Sequence, residues 1–407
     1  MTRSLRIAIG IFALLWSAPC FSLPVRTGDE VLLSSQLGLL HGKRIGLVIN
    51  QASRLGSGEF VLDALLATGA NVSALFAPEH GIRGTAEAGA ELSDTVDART
   101  GIRIFSLYGK NRRPTPEMLK DVEVLVYDLQ DVGVRFYTYL STLSLCMAAA
   151  AEAGIPVIVL DRPNPLGGLL VDGPILPDSL RSFVGCFPIP VVYGLTVGEL
   201  AAMANGEGWL PGGVRANLTV VPMTGWKRSM RWDDTGLPWI PPSPNLRMPD
   251  AVRIYPATCL LEATNISEGR GTDAPFQTIG APFVDGDSLA HWIDALAWEG
   301  VKAQGMRFVP AASKHAGIVC GGVFLSTTSG TLRRPVELGV DLLTVLRAHW
   351  PTAMKINVRE FDRLLGDPRV AESVAAGVPV AETGPGWAAE RKNYELLAQR
   401  YFRYGEK

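Results

Sequence analysis

A chain of 407 residues is too long for one ordinary hydrophobic core, so two domains are the expectation. With 47% hydrophobic and 19% charged side chains, the composition is that of a well-packed globular protein and excludes a disordered one. A formal net charge of −2 leaves no basic footprint and argues against nucleic acid or an anionic membrane surface as partner.

The chain opens with Arg3 and Arg6, an apolar run over 7–16, and Cys20-Phe21-Ser22, which offers small residues at the −3 and −1 positions of a cleavage site. This pattern predicts a secretory signal over 1–22 and an exported, most simply periplasmic, mature protein. Pro19 and Ser17 fit a lipobox poorly, so a lipid anchor at Cys20 is not expected. No later run reaches the ~18 apolar residues of a membrane helix, and no membrane span is predicted. Export permits disulfides, yet Cys146, Cys186, Cys259 and Cys320 are scattered and form no CxxC redox or metal motif.

After the leader the spacing predicts a helix over 29–40, a buried strand over 44–50, an amphipathic helix over 60–68 and a strand over 72–76. Pro78 stops that strand, and Glu79, His80 and Arg83 follow among glycines. Further strands are expected over 102–107, 122–128 and 157–160, separated by helices over 115–120 and 139–153. A helix over 196–205 and a strand over 218–222 complete the unit. Strands alternating with helices predict an α/β fold with a mostly parallel sheet and helices on both faces. The stretch 238–249 holds five prolines, too many for regular structure, and marks the end of the first domain or a crossover strap. The boundaries read 23–245 for a catalytic domain and 246–407 for a smaller C-terminal α/β domain. In the latter, helices are expected over 288–299, 335–349 and 386–402 and a strand over 317–325.

Three strand ends carry reactive side chains: Glu79 with His80, Asp128 with Asp131, and Asp161 with Arg162 and Asn164. In open α/β sheets that edge is where ligands bind. Carboxylates gathered there can be driven to different pKa values by burial and repulsion, and so supply an acid and a base for glycoside hydrolysis. The plain alternative is that Asp131 caps the next segment and Arg135 pairs with it. The loop Glu268-Gly269-Arg270-Gly271-Thr272 is equally dense, its glycines permitting close approach to a ligand and its guanidinium suiting a carboxylate. An ordinary turn with a surface salt bridge explains it as simply. No cofactor is expected, because the chain has neither GxGxxG after its first strand nor GxxxxGK[ST]. A serine nucleophile lacks its GxSxG elbow. No metal site is predicted, since His41, His80, His291, His315 and His349 include no i, i+4 pair.

Seven stretches taken together, FAPEHGIRG (76–84), TGIRIFSLYG (100–109), VLVYDLQDVGVRFYTY (124–139), VLDRPNPLGG (159–168), DGPIL (172–176), GLTVGELA (194–201) and EGRGTDAPF (268–276), match one family in order and spacing. Over about 45–400 the chain resembles the exo-β-N-acetylmuramidases of the NamZ type. The resemblance implies a Rossmann-like N-terminal domain, a smaller α/β domain and an active-site cleft between them. It implies release of N-acetylmuramic acid (MurNAc) from non-reducing ends of peptidoglycan fragments of the MurNAc-GlcNAc type. Its acidic residue falls on Glu79, expected as general acid/base, with a second carboxylate from Asp128, Asp131 or Glu268. The chain departs from the family pattern at Tyr193, where histidine is common, and at Gln277, where glutamate is usual.

The residues agree with such a substrate. Its lactyl carboxylate needs a cation, for which Arg83, Arg135, Arg162 and Arg270 are candidates. Its acetamido and hydroxyl groups need amides and hydroxyls, for which Asn50, Gln130, Tyr137, Asn164 and Thr272 stand near strand or loop ends. A non-catalytic periplasmic binding protein for muropeptides or sugars would use the same groups and is the rival expectation.

Overall fold

Hydrophobic runs without alternation build the centre of the sheet. Ile45–Ile49 (β1), Val124–Asp128 (β5) and Val157–Leu160 (β6) are buried at every residue, as strands covered on both faces must be. The computed structural model describes residues 25–83, 93–328, 332–377 and 386–406. The expected leader over 1–22 lies outside them. The remaining strands in chain order are Val72–Ala77 (β2), Thr95–Val96 (β3), Arg103–Ser106 (β4), Val171–Asp172 (β7), Val192–Tyr193 (β8) and Leu218–Val221 (β9). Seven of these form one sheet in the order β3-β4-β2-β1-β5-β6-β9, parallel except at the β3–β4 edge.

The chain winds outward from β1 through β2 to β4, then returns to place β5 on the other side of β1. That reversal opens a crevice beyond the carboxyl ends of β1, β2 and β5, the point at which doubly wound sheets bind ligands. Strand faces alternate: Leu47, Ile49 and Val126 join one apolar cluster, while Val48, Tyr127 and Val159 join the other. The second cluster continues without a break into Val252, Leu260, Ile279 and Leu343.

Beyond the proline strap, Thr278–Ala281 (β10), Val301–Phe308 (β11) and Cys320–Thr327 (β12) form an antiparallel sheet in the order β10-β12-β11. Neither β10 nor β11 is expected from the sequence: β10 is only four residues long, and Val301–Phe308 is interrupted by Lys302, Gln304 and Arg307 and buries only Phe308. Helix Pro249–Thr258 is another difference. Pro249 reads as the end of the strap, yet it occupies the first helical position, where its missing N–H costs nothing. The helix expected over 29–40 is also broken. It is α-helical only over Gly28–Val31 and continues as a π-helix over Leu32–Gln36, where Ser34 and Ser35 bond back to the Val31 carbonyl at 3.3 and 3.0 Å, and as a 3-10 turn over Leu37–Leu39. Helix Pro335–His349 has the bounds expected for it.

The last helix, Trp387–Ala398, and the tail after it return to the first sheet. Tyr404 donates to Asp161 at 2.5 Å, Tyr394 to the Tyr193 carbonyl at 2.7 Å, and the Arg403 amide to Glu199 at 2.9 Å. The four cysteines of the described residues are free thiols. Trp232 and Trp239 pack edge to face at 4.8 Å beside the strap, so they serve as packing.

Candidate active site

β2 ends at Ala77, and Pro78 turns the chain so that Glu79 and His80 enter a cleft of about 950 Å³. His80 is buried and holds a left-handed backbone at φ 74°, a conformation rare outside glycine that bends the chain sharply there. Glu79 is partly exposed to the cleft. The Thr138 hydroxyl donates to its Oε2 at 2.8 Å, and the Tyr108 hydroxyl is hydrogen-bonded to the same carboxylate. Burial, and then the adjacent Glu79 charge, push the Tyr108 phenol up to about 12, so it is a firm proton donor in this contact. The carboxylate is thereby held by two hydroxyls, one just past the end of β4 and one at the start of the helix Tyr139–Glu152.

The opposite wall comes from the second half of the chain. Glu268 is almost wholly buried, with Arg270 Nε and Lys314 Nζ each 3.0 Å from its oxygens. Arg270 also holds Glu262 at 2.6 Å and lies 5.1 Å over the Phe276 ring. Burial pushes the Glu262 carboxyl upward although Arg270 opposes it. Lys314 is fixed further by the carbonyls of Leu261 at 2.8 Å and Ile266 at 3.0 Å. Among the expected site residues, Glu79, His80, Tyr137, Glu268 and Arg270 line this one cleft.

The other expected residues lie behind it. Asp128 is fully buried and clamped by Arg162, with contacts at 2.5 and 2.9 Å, and Arg162 reaches Asp29 at 2.8 Å. Arg162 therefore answers two buried carboxylates and has no charge to spare. Asp131 accepts from the Gly133 amide at 2.7 Å and from the Tyr193 hydroxyl, while its other oxygen has no hydrogen-bond partner among the described residues. Burial pushes Asp131 up to about 6. Arg135 does not pair with Asp131. Its guanidinium donates to the carbonyls of Pro174, Ile189, Leu364 and Leu365 at 2.6–2.9 Å. Arg83 pairs with Asp97 at 2.7 Å.

The amides brace the backbone. Asn50 donates to the Tyr139 hydroxyl at 2.7 Å, which in turn donates to the strap carbonyl of Pro242 at 2.7 Å. Gln130 bonds the carbonyls of Asp131 and Pro163 at 2.7 and 2.8 Å, and Asn164 bonds that of Leu195 at 2.9 Å. Thr272 closes its own turn on the Gly269 carbonyl at 2.6 Å. Tyr108, Arg112, Thr138, Glu262 and Lys314 line the cleft and are not expected from the sequence. Thr138 lies inside the DLQDVGVRFYTY stretch, and its hydroxyl beside Tyr137 was the available signal. Lys314 has no such signal.

Neither departure from the family pattern lines the cleft. Tyr193 is buried on Asp131, and Gln277 bonds the Leu325 carbonyl at 3.3 Å. No helix of the described residues is long and apolar enough to cross a membrane, and no group of three or more potential ligands for a metal occurs among them.

Comparison with known proteins agrees along both halves of the chain. The family description "Exo-beta-N-acetylmuramidase NamZ, N-terminal" matches residues 45–250, and its C-terminal counterpart matches 253–404. The peptidoglycan beta-N-acetylmuramidase NamZ of Bacillus subtilis (strain 168) is 42% identical over 382 residues, covering 93% of this chain and 91% of that protein. Two DUF1343 family proteins of Bacteroides fragilis NCTC 9343 share the fold. One is 37% identical with a TM-score of 0.87, the other 32% identical with a TM-score of 0.78, and each comparison covers 94% of this chain and 99% of the other. With both halves matched in order, and the Glu79 and Glu268 loops facing one cleft, this chain belongs to the NamZ exo-β-N-acetylmuramidase family.

Proposed function

We propose that this protein is an exo-acting glycoside hydrolase that releases MurNAc from the non-reducing ends of peptidoglycan fragments, MurNAc-β-1,4-GlcNAc being the smallest. The observation that carries the reading is Glu79, a carboxyl group open to the cleft and held by Thr138 and Tyr108. In this role Glu79 gives its proton to the glycosidic oxygen as the C1–O bond breaks, and GlcNAc leaves with a free hydroxyl. Positive charge develops at C1 and the ring oxygen, and a water adds at C1 and passes its proton to a carboxylate of the cleft. Glu268 is the favoured second carboxylate because it lines the same cleft, whereas Asp128 and Asp131 are enclosed by Arg162 and Tyr193. Arg270 and Lys314 match its charge and fix its position.

Incubation of the mature protein with MurNAc-β-1,4-GlcNAc, read by mass spectrometry, tests the activity. Free MurNAc is expected, and its absence at high enzyme concentration overturns the reading. Export belongs to the same proposal and rests on the basic-then-apolar segment over 1–22. Sequencing the N-terminus of protein recovered from the periplasm should begin at residue 23. Recovery of intact chain from the cytoplasm alone would count against export.

A further inference from the structure

Five lysine and arginine side chains line the cleft, and they differ in what they already hold. Arg270 and Lys314 are committed to Glu262 and Glu268, and Arg363 to Glu360 at 2.7 Å. Arg247 is half-exposed and lies 3.7 Å from Asp273. Arg112 alone of the five has no carboxylate within ion-pair distance among the described residues. Its guanidinium carbon instead lies 4.4 Å from the centre of the Phe183 ring and 6.0 Å from that of Tyr108. The two rings are 6.1 Å apart, and Tyr108 is the residue whose hydroxyl bonds Glu79.

A guanidinium laid on an aromatic face is fixed in orientation while its edge keeps N–H donors for an acceptor in the plane. The loop is anchored as well. The Ser106 hydroxyl donates to the Tyr108 carbonyl at 3.0 Å, Gly109 turns at φ 93°, and Thr115 caps the helix Pro116–Leu119 that follows. The neighbouring Arg113 is tied to Glu152, so the pair divides into one structural cation and one that faces the cleft.

We infer that Arg112 reads the anionic arm of the substrate, the carboxylate of the 3-O-lactyl ether that distinguishes MurNAc from N-acetylglucosamine. This rests on the muramidase reading for the identity of the sugar. The four arginines that sequence alone nominates for this task are occupied elsewhere: Arg83 on Asp97, Arg135 on carbonyls, Arg162 on Asp29 and Asp128, and Arg270 on two glutamates. Arg112 is the cleft cation left with charge to offer, one tyrosine away from the proton donor.

Calorimetric titration of N-acetylmuramic acid and of its methyl ester, which lacks the charge, tests the assignment on the full-length mature protein. The wild type should bind the acid about 10- to 100-fold more tightly than the ester, the range of a charge-assisted hydrogen-bonded pair. Arg112→Gln should reduce that preference to within about threefold, and Arg112→Lys should keep part of it. An acid preference retained in Arg112→Gln, or absent in the wild type, overturns the inference. Hydrolysis of MurNAc-β-1,4-GlcNAc is followed in parallel. A wild type that prefers the acid through Arg112 but releases no sugar would sink the hydrolase reading and leave this one standing.

Discussion

Glutamine at position 79 would keep acceptor and donor atoms for Thr138 and Tyr108 but carry no proton for the leaving group. Glu79→Gln is therefore expected to lower turnover of the unactivated disaccharide by about 10²- to 10⁴-fold. Its melting temperature should move by no more than about 2 °C. Near-wild-type turnover would remove Glu79 from the acid role. Asp131 makes the opposite case, a carboxyl whose burial carries a stability signature. Between its ordinary value of 3.8 and about 6, the native state holds a proton that the unfolded chain has released. Stability from this group is thus present at low pH and lost as pH rises through that window. Asp131→Asn presents an oxygen to Gly133 and Tyr193 and removes the charge. Thermal scans should show the variant close to wild type near about pH 4 and more stable than wild type at about pH 7. A variant equally or less stable at neutral pH would show that the carboxylate form is the one the fold prefers.

At the scale of elements, the cleft depends on two loops docked backbone to backbone. Gly271 has φ 79°, its carbonyl accepts from the Ala311 amide at 2.8 Å, and an added Cβ would meet the Ala312 nitrogen at 2.3 Å. Beyond that contact, Ser313 at φ 64° and His315 at φ 59° flank Lys314 in left-handed conformations. Such residues persist only where the surroundings hold them, and here they aim the ammonium at Glu268. Gly271→Ala should cost about 1–3 kcal/mol in urea unfolding. It should also lower kcat/KM, because the loop that seats Lys314 is pushed away. Unchanged stability and activity would mean that the two loops adjust freely. A glycine on each side of Arg270 makes half of this device legible in EGRGT. The other half is not legible, since Lys314 lies more than forty residues away in a stretch with no motif and is brought back by the pairing of β10 with β12 and by loop contacts such as Ala311 to Gly271.

At the scale of the molecule, Arg135 ties the segment after β5 to the end of helix Val358–Leu365, donating to two carbonyls on each side. Burial without a carboxylate beside it lowers its pKa, and the four carbonyls supply the acceptors its buried N–H groups need. Arg135→Leu would take a charged donor from all four carbonyls, of which Ile189 alone keeps the Leu176 amide at 3.2 Å, at a cost of at least about 3 kcal/mol. Urea unfolding measures it, and a loss under about 1 kcal/mol would show that the segments close up without the side chain.

The parallel sheet, the reactive edge beyond β2 and the family were readable from the chain, because they rest on local signals. Runs such as Ile45–Ile49 and Val124–Asp128 declare strands covered on both faces, and Pro78 and the glycines after Glu79 declare where a strand stops and a ligand-facing turn begins. Which of the gathered charges face the cleft was decided only by the tertiary structure. Asp128, Arg162 and Arg135 look as reactive in sequence as Glu79 and Arg270, and they differ only in what the fold sets beside them. A buried ion needs its partners at hydrogen-bond distance, and those partners, Asp29 for Arg162 and the Leu364 and Leu365 carbonyls for Arg135, come from distant parts of the chain.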